Sequence, residues 1–274
     1  MKAKSWSSPA TSDRVLATLA HLDGSSARVA DIGAGRGYFS RLLGEELRAR
    51  HGVDPREHVF ACDAQPESFE YAGIECTRTQ SDGRTPFADA SFDAVVSIEV
   101  IEHVEDQFAF LRELARIAKP GATVVVTTPN VLNLNSRLRS LTCGFPLLYD
   151  PLPLVGDARV CSGHIHPITP YFLAYTALRA GLVEPHLVYD RRKTSAAILA
   201  VLLWPALALG RAGLRRRLQR KKPAVLAENA ALLREQESFD LWTSRTAVLV
   251  AKKPALTATA RRASAPLGIE AGVA

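Results

Sequence analysis

Through its first 128 residues the chain alternates short apolar runs with helical stretches, and this rhythm restricts the fold more than any other feature. Residues 27–32, 58–62, 74–79, 92–98 and 122–128 read as strands. Residues 11–22, 38–50 and 106–118 read as helices, with Leu42, Leu43 and Leu47 on one face of the second. Val95-Val96 and the three valines of 124–126 suit strands covered on both faces, and Lys119-Pro120-Gly121 is a stop signal for the third helix. Such alternation implies right-handed crossovers and a doubly wound, mostly parallel sheet. A ligand then binds outside the carboxyl ends of the strands, near the switch in strand order.

After Pro129 the rhythm breaks. Residues 130–165 are rich in Asn, Pro, Gly and aromatics and read as a long functional loop or lid. Residues 169–180 are helical, 182–189 extended, 194–210 apolar without charge, and 246–251 a closing strand. The reading is one domain over 1–254, with a core at 11–130, a lid and substrate region at 131–245, and an apolar and basic insertion at 191–222. The remainder, 255–274, is Ala/Thr/Arg-rich and expected to be disordered. A hydrophobic share of 47% against 23% charged excludes disorder of the whole chain. Cys62, Cys76, Cys143 and Cys161 form no C-x-x-C pair or zinc spacing, and no apolar stretch follows the charged N-terminus. Both features point to a reduced, cytoplasmic setting.

The densest chemistry lies in Val29-Ala30-Asp31-Ile32-Gly33-Ala34-Gly35-Arg36-Gly37. A strand ends in an acid, alternate glycines let the backbone turn and approach a ligand, and a helix starts at once with its amino end toward that ligand. The spacing is G-x-G-x-G; the dinucleotide fingerprint needs a glycine where Tyr38 stands, which counts against a nicotinamide enzyme. Asp63 closes the second strand, where a carboxylate can accept both ribose hydroxyls. Taken singly these are a structural glycine turn and a turn-forming Asp; together they indicate a nucleoside-bearing ligand.

These residues carry a family resemblance. D-I-G-A-G-R-G-Y-F-S resembles motif I of class I S-adenosylmethionine (SAM)-dependent methyltransferases, and Cys62-Asp63 resembles their ribose-binding position. P-F-A-D-A-S-F-D-A-V-V-S-I-E-V-I-E-H-V-E-D and L-R-E-L-A-R-I-A-K-P-G-A-T-V-V-V-T-T-P-N resemble their fourth-strand segment and the helix and strand that follow, so the likeness covers residues 29–130. It implies a Rossmann-like, seven-stranded fold with a C-terminal helical insertion, and SAM as cofactor. Asp31 would serve the methionine end, Gly33, Ala34, Gly35 and Gly37 the close-approach turn, Asp63 the ribose and Asp82 the adenine, although Asp82 sits nearer Phe87 than the pattern has it.

Glu99, Glu102 and His103 form E-x-x-E-H. If they open a helix, all three polar groups share a face and can hold a divalent cation; the plain alternative is acids favouring a helix start beside a His that acts as base or orients substrate. The segment resembles that of the ubiquinone-pathway O-methyltransferases and the small-RNA 2′-O-methyltransferases, which implies a magnesium-like ion at Glu99, Glu102 and His103. The same resemblance implies a further ligand from downstream, His164 or His166, with His164 at the matching position. Glu102 and His103 are then the catalytic candidates.

The net charge of +6 is concentrated at Arg191-Arg192-Lys193 and between Arg211 and Lys222, on either side of the apolar run 194–210. Leu199, Leu202, Leu203 and Ala206 fall on one helical face. The run is short for a bilayer span and holds Pro205, so it reads either as a buried cap helix or as a segment lying on an anionic membrane surface. The expected activity is O-methylation of a hydroxylated small molecule, glycan or lipid-like acceptor. The rival is a non-catalytic domain that binds SAM or a partner. Basic and aromatic residues are not interleaved as base-stacking surfaces require, which disfavours nucleic acid.

Overall fold

Strand β1 (Val29–Ile32) is central, paired in parallel with β2 (Val59–Asp63) on one side and β4 (Phe92–Ile98) on the other. β3 (Cys76–Arg78) extends the sheet beyond β2, and β5 (Ala118–Pro129) beyond β4, both in parallel. β6 (Val183–Tyr189) forms the far edge, and β7 (Thr246–Lys252) enters antiparallel between β5 and β6. The order is β3-β2-β1-β4-β5-β7-β6. The structure, a computed structural model, describes residues 8–154 and 163–255.

Helices cover both faces: α1 (Pro9–Thr18), α2 (Tyr38–His51), α3 (Pro55–His58), α4 (Gln107–Ile117), α5 (Leu134–Cys143), α6 (Pro170–Arg179), α7 (Thr194–Lys221), α8 (Pro223–Glu228), α9 (Ala230–Glu235) and α10 (Phe239–Thr243). Because strand side chains alternate, Ala94, Val96 and Val125 pack with Val15, Leu43 and Leu47 of α1 and α2. Val95, Val124 and Val126 pack with Leu114, Leu173 and Trp242 on the other face. Buried valines on both sides explain the near-continuous apolar strands. The strand order reverses between β1 and β4, so the crevice of this open sheet lies where the glycine turn and the Glu99 segment emerge.

Several expectations shift. The first helix begins at Pro9, after Ser8, and ends four residues early. β5 starts at Ala118 and takes Lys119-Pro120-Gly121 into the strand as an irregularity, so the sequence that stops α4 also opens β5. The described part of 130–165, expected to be a long loop or lid, contains a helix, α5. Asn133 caps it by accepting the Ser136 N–H at 2.9 Å, and Gly144 ends it in the left-handed region. The apolar run 194–210 continues into its basic flank as one 28-residue helix with Pro205 inside. That helix is not a buried cap: only Ala196 and Ala200 are buried. The expected tail lies outside the described residues except Ala255, as does Cys161.

Candidate functional site

The first half of the site is the turn after β1. Gly33, Gly35 and Gly37 have φ of 75°, 52° and 79°, a region open to glycine at no steric cost. Space adds a second constraint: a Cβ on Gly33 would meet Val100 at 2.3 Å, and one on Gly37 would meet Phe69 at 2.6 Å. The Gly33 and Ala34 N–H groups donate to the Cys62 carbonyl, at 2.7 and 3.2 Å. Asp63, partly exposed at the end of β2, accepts the Gly35 N–H at 2.8 Å and the Gln65 N–H at 2.7 Å on different oxygens. Each oxygen keeps acceptor capacity toward solvent. Behind the turn, Asp31 is buried and accepts the Ser40 hydroxyl at 2.6 Å; burial lifts its pKa to about 6. α2 opens on this turn with no acid of its own in the first turn, and the acid at its amino end is Asp31, held there through Ser40. Asp82 sits apart on an exposed turn, where it accepts the Arg84 N–H at 3.0 Å.

The second half follows β4. Glu99 takes φ of 53° and donates its N–H to Thr127 Oγ1. Residues Ile101–His103 then form a single 3₁₀ turn, not the start of an α-helix. The expected shared face of Glu99, Glu102 and His103 therefore does not form. The Glu99 carboxylate accepts from Thr246 Oγ1 at 3.4 Å; its pKa is raised by burial, against which the Arg245 charge acts.

Glu102, His103 and His164 do converge, with ligating atoms within 4.8 Å of one another. Glu102 is fully buried, neither oxygen has a hydrogen-bond partner, and burial, aided by the Glu99 charge, pushes its pKa to about 8. Its backbone carbonyl accepts from Ile165 and His166, which ties the irregular segment before α6 to the turn and delivers His164. His103 Nδ1 lies 2.8 Å from the Gly163 carbonyl. A carbonyl only accepts, so Nδ1 carries the proton and the Nε2 lone pair of the neutral ring is free to bind. The His164 ring stands 4.7 Å from that of His103, its Nδ1 has no partner, and burial holds its pKa down. His166 turns away to the Val104 carbonyl.

One residue escaped the sequence reading. Tyr149 is buried, packs its ring 5.1 Å from His164, and leaves its hydroxyl unpartnered. Its only signal was its place within the long segment after β5.

A family model described as a methyltransferase domain matches residues 8–183. The chain belongs to the class I SAM-dependent methyltransferase family. It is 37% identical over 121 residues to a ubiquinone biosynthesis O-methyltransferase of Xanthomonas oryzae, covering 40% of this chain and 46% of that protein. It is 35% identical over 102 residues to a probable S-adenosylmethionine-dependent methyltransferase of Mycolicibacterium smegmatis, covering 37% and 38%. The matches thus span less than half the length of either relative. Among solved structures, a SAM-dependent methyltransferase of Archaeoglobus fulgidus superposes with a TM-score of 0.53 at 16% identity, covering 89% of this chain and 93% of that one. It shares the fold.

Proposed function

We propose that this methyltransferase moves the methyl group of SAM to a hydroxyl of a small molecule, a glycan or a lipid-like acceptor, at the Glu102–His103–His164 group. The observation that carries this reading is the buried Glu102 carboxyl group, with both oxygens unpartnered, beside two imidazoles that have nitrogen lone pairs to offer. Even in its neutral form, a polar group buried without a hydrogen bond costs several kcal/mol, on the order of 2–7, so the arrangement calls for a ligand.

In this reading the glycine turn and the α2 amino end hold SAM, Asp63 takes the ribose hydroxyls, and Asp31 faces the methionine end. Asp82 keeps the adenine role only as implied by the family pattern. SAM supplies an electrophilic methyl group, and the protein's task is to align the acceptor and exclude water. The acceptor hydroxyl must lose its proton, for which His103 Nε2 offers a free lone pair, since Nδ1 is committed to the Gly163 carbonyl; burial favours the protonated form of Glu102.

The same three side chains fit a divalent cation: a carboxylate and two imidazoles are a recognised donor set, and its two nitrogens suit zinc, or a nitrogen-tolerant ion such as manganese, better than magnesium, which prefers oxygen. The chemistry such an ion supplies is Lewis acidity toward the acceptor oxygen. Glu99 stands outside this set. Incubating the protein with cell extract and methyl-labelled SAM tests the reading. Label should appear on a hydroxyl-bearing compound, and chelation should slow its appearance until manganese is restored. SAM binding with no labelled product would leave a non-catalytic binding domain. Full turnover under excess chelator would remove the cation and leave His103 as base.

A further inference from the structure

α7 presents an unusual surface. Ala196 and Ala200 are buried, Trp204 packs on Trp242 with ring centroids 5.7 Å apart, and Arg211 lies 4.7 Å from the Trp242 ring, so one side of the helix is fixed to the body. At 100° per residue, Ile198, Leu202, Pro205 and Leu209 form a row on the opposite side. Leu202 is 69% exposed and Leu209 75%, with Val201 beside them at 71%. α5 packs alongside, joined by the Asn135–Ser195 hydrogen bond of 2.7 Å, and adds Leu141, which is 84% exposed. The row continues along the helix into Arg216 and Arg220. Arg217, Lys221 and Lys222 are exposed nearby, and none of these five cations has an acidic partner among the described residues; Arg215 is taken by Glu237. No acid occurs anywhere between residues 191 and 222.

From this we infer that the outward face of α7, together with α5, docks on an anionic lipid bilayer. The helix is long and apolar enough to cross a membrane by length and composition. However, the packed Ala, Trp and Arg211 side and the Asn135 bond hold it against the protein, so it lies in the interface with its apolar row at headgroup depth and its basic end on lipid phosphates. Charge decides against a second copy of the chain as occupant: the same patch on a partner holds no acid to pair with these five cations, whereas acidic lipids supply the missing charge. The α7–α10 excursion leaves β6 and returns to β7 at the carboxyl end of the parallel strands, the same end at which Glu99 and Glu102 follow β4, so docking brings that end of the sheet toward the membrane. Docking depends on the shape and charge of this surface, independently of methyl transfer.

Co-sedimentation of the full chain with phosphatidylcholine vesicles, with and without phosphatidylglycerol, tests it. At low salt, binding should be at least about tenfold stronger on anionic vesicles and should fall as salt screens the cations. Arg216→Glu/Arg217→Glu/Arg220→Glu and Leu202→Asp/Leu209→Asp should each reduce it to the phosphatidylcholine level while SAM binding, measured by calorimetry, stays as in the wild type. Wild-type protein that stays in the supernatant with anionic vesicles would overturn the inference. So would a stable dimer that Leu202→Asp/Leu209→Asp dissociates, or binding that resists alkaline carbonate, as a spanning helix does.

Discussion

Asp63 performs two tasks with one carboxylate. It fastens the glycine turn through the Gly35 N–H, and it offers its remaining lone pairs where a ribose would lie. Asp63→Ala should weaken SAM binding by about 1.5–3 kcal/mol, roughly 10- to 150-fold, the range for a charge-assisted hydrogen bond; calorimetric titration reads it, and wild-type affinity in the variant would remove Asp63 from the site. The Glu102 group makes a complementary prediction. Glu102→Gln, His103→Ala and His164→Ala should each lower methyl transfer at least about tenfold while leaving SAM affinity unchanged, since none of these side chains hydrogen-bonds the glycine turn. Loss of SAM binding in these variants would mean that the two halves of the site are not separable. At this scale the sequence was a good guide to residue type and a poor one to direction. Glu102 and His103 were visible as neighbours, but the positive φ at Glu99 and the 3₁₀ turn after it, which aim the Glu99 carboxylate at Thr246, have no local signature in E-x-x-E-H.

Among the elements, α4 is held by a polar clasp. Glu113 accepts the Thr85 N–H and hydroxyl, both at 2.8 Å, and pairs with Arg116 at 2.7 Å, so the chain entering β4 is tied to the helix leaving it. Despite burial, which acts to raise it, the Arg116 and Thr85 hydrogen bonds bring the Glu113 pKa down to about 2. A depressed carboxylate stabilises the fold fully above its unfolded value of 4.5, and that contribution is lost as pH falls toward about 2. Glu113→Gln should therefore cost about 1.5–3 kcal/mol at neutral pH, with the gap from wild type narrowing below about pH 4.5. Denaturant melts across that range would show it, and a gap independent of pH would refute it. The elements that were legible are those whose apolar pattern faces a core: β4, β5, α2 and α6. α5 has Leu134, Leu138 and Leu141 at helical spacing, yet two of the three point outward and Asn and Gly flank it, so composition suggested a loop.

For the molecule as a whole, the parallel sheet and its crevice follow from the strand–helix rhythm, because burial on both faces leaves its record in the sequence. The path of α7 left no such record: a long uncharged run is consistent with a buried cap, a bilayer span or an interfacial helix, and only the packing of its neighbours separates them. Stability measurements without lipid can test the packing directly. Ile198→Ser, Leu202→Ser and Leu209→Ser replace residues of the outward row, so each should change unfolding free energy by no more than about 0.5 kcal/mol, as exposed substitutions do. Ala200→Leu forces a larger side chain into a buried contact and should destabilise by about 1–3 kcal/mol. If the serine substitutions were instead as damaging as Ala200→Leu, the helix would have its apolar row against the protein. The exposed surface would then vanish, and with it the reason for α7 to meet a bilayer. Small effects from all three serines, together with a large one from Ala200→Leu, would show that folding leaves this row free. The row's apolar character would then contribute little to stability, and its role would lie in what it contacts.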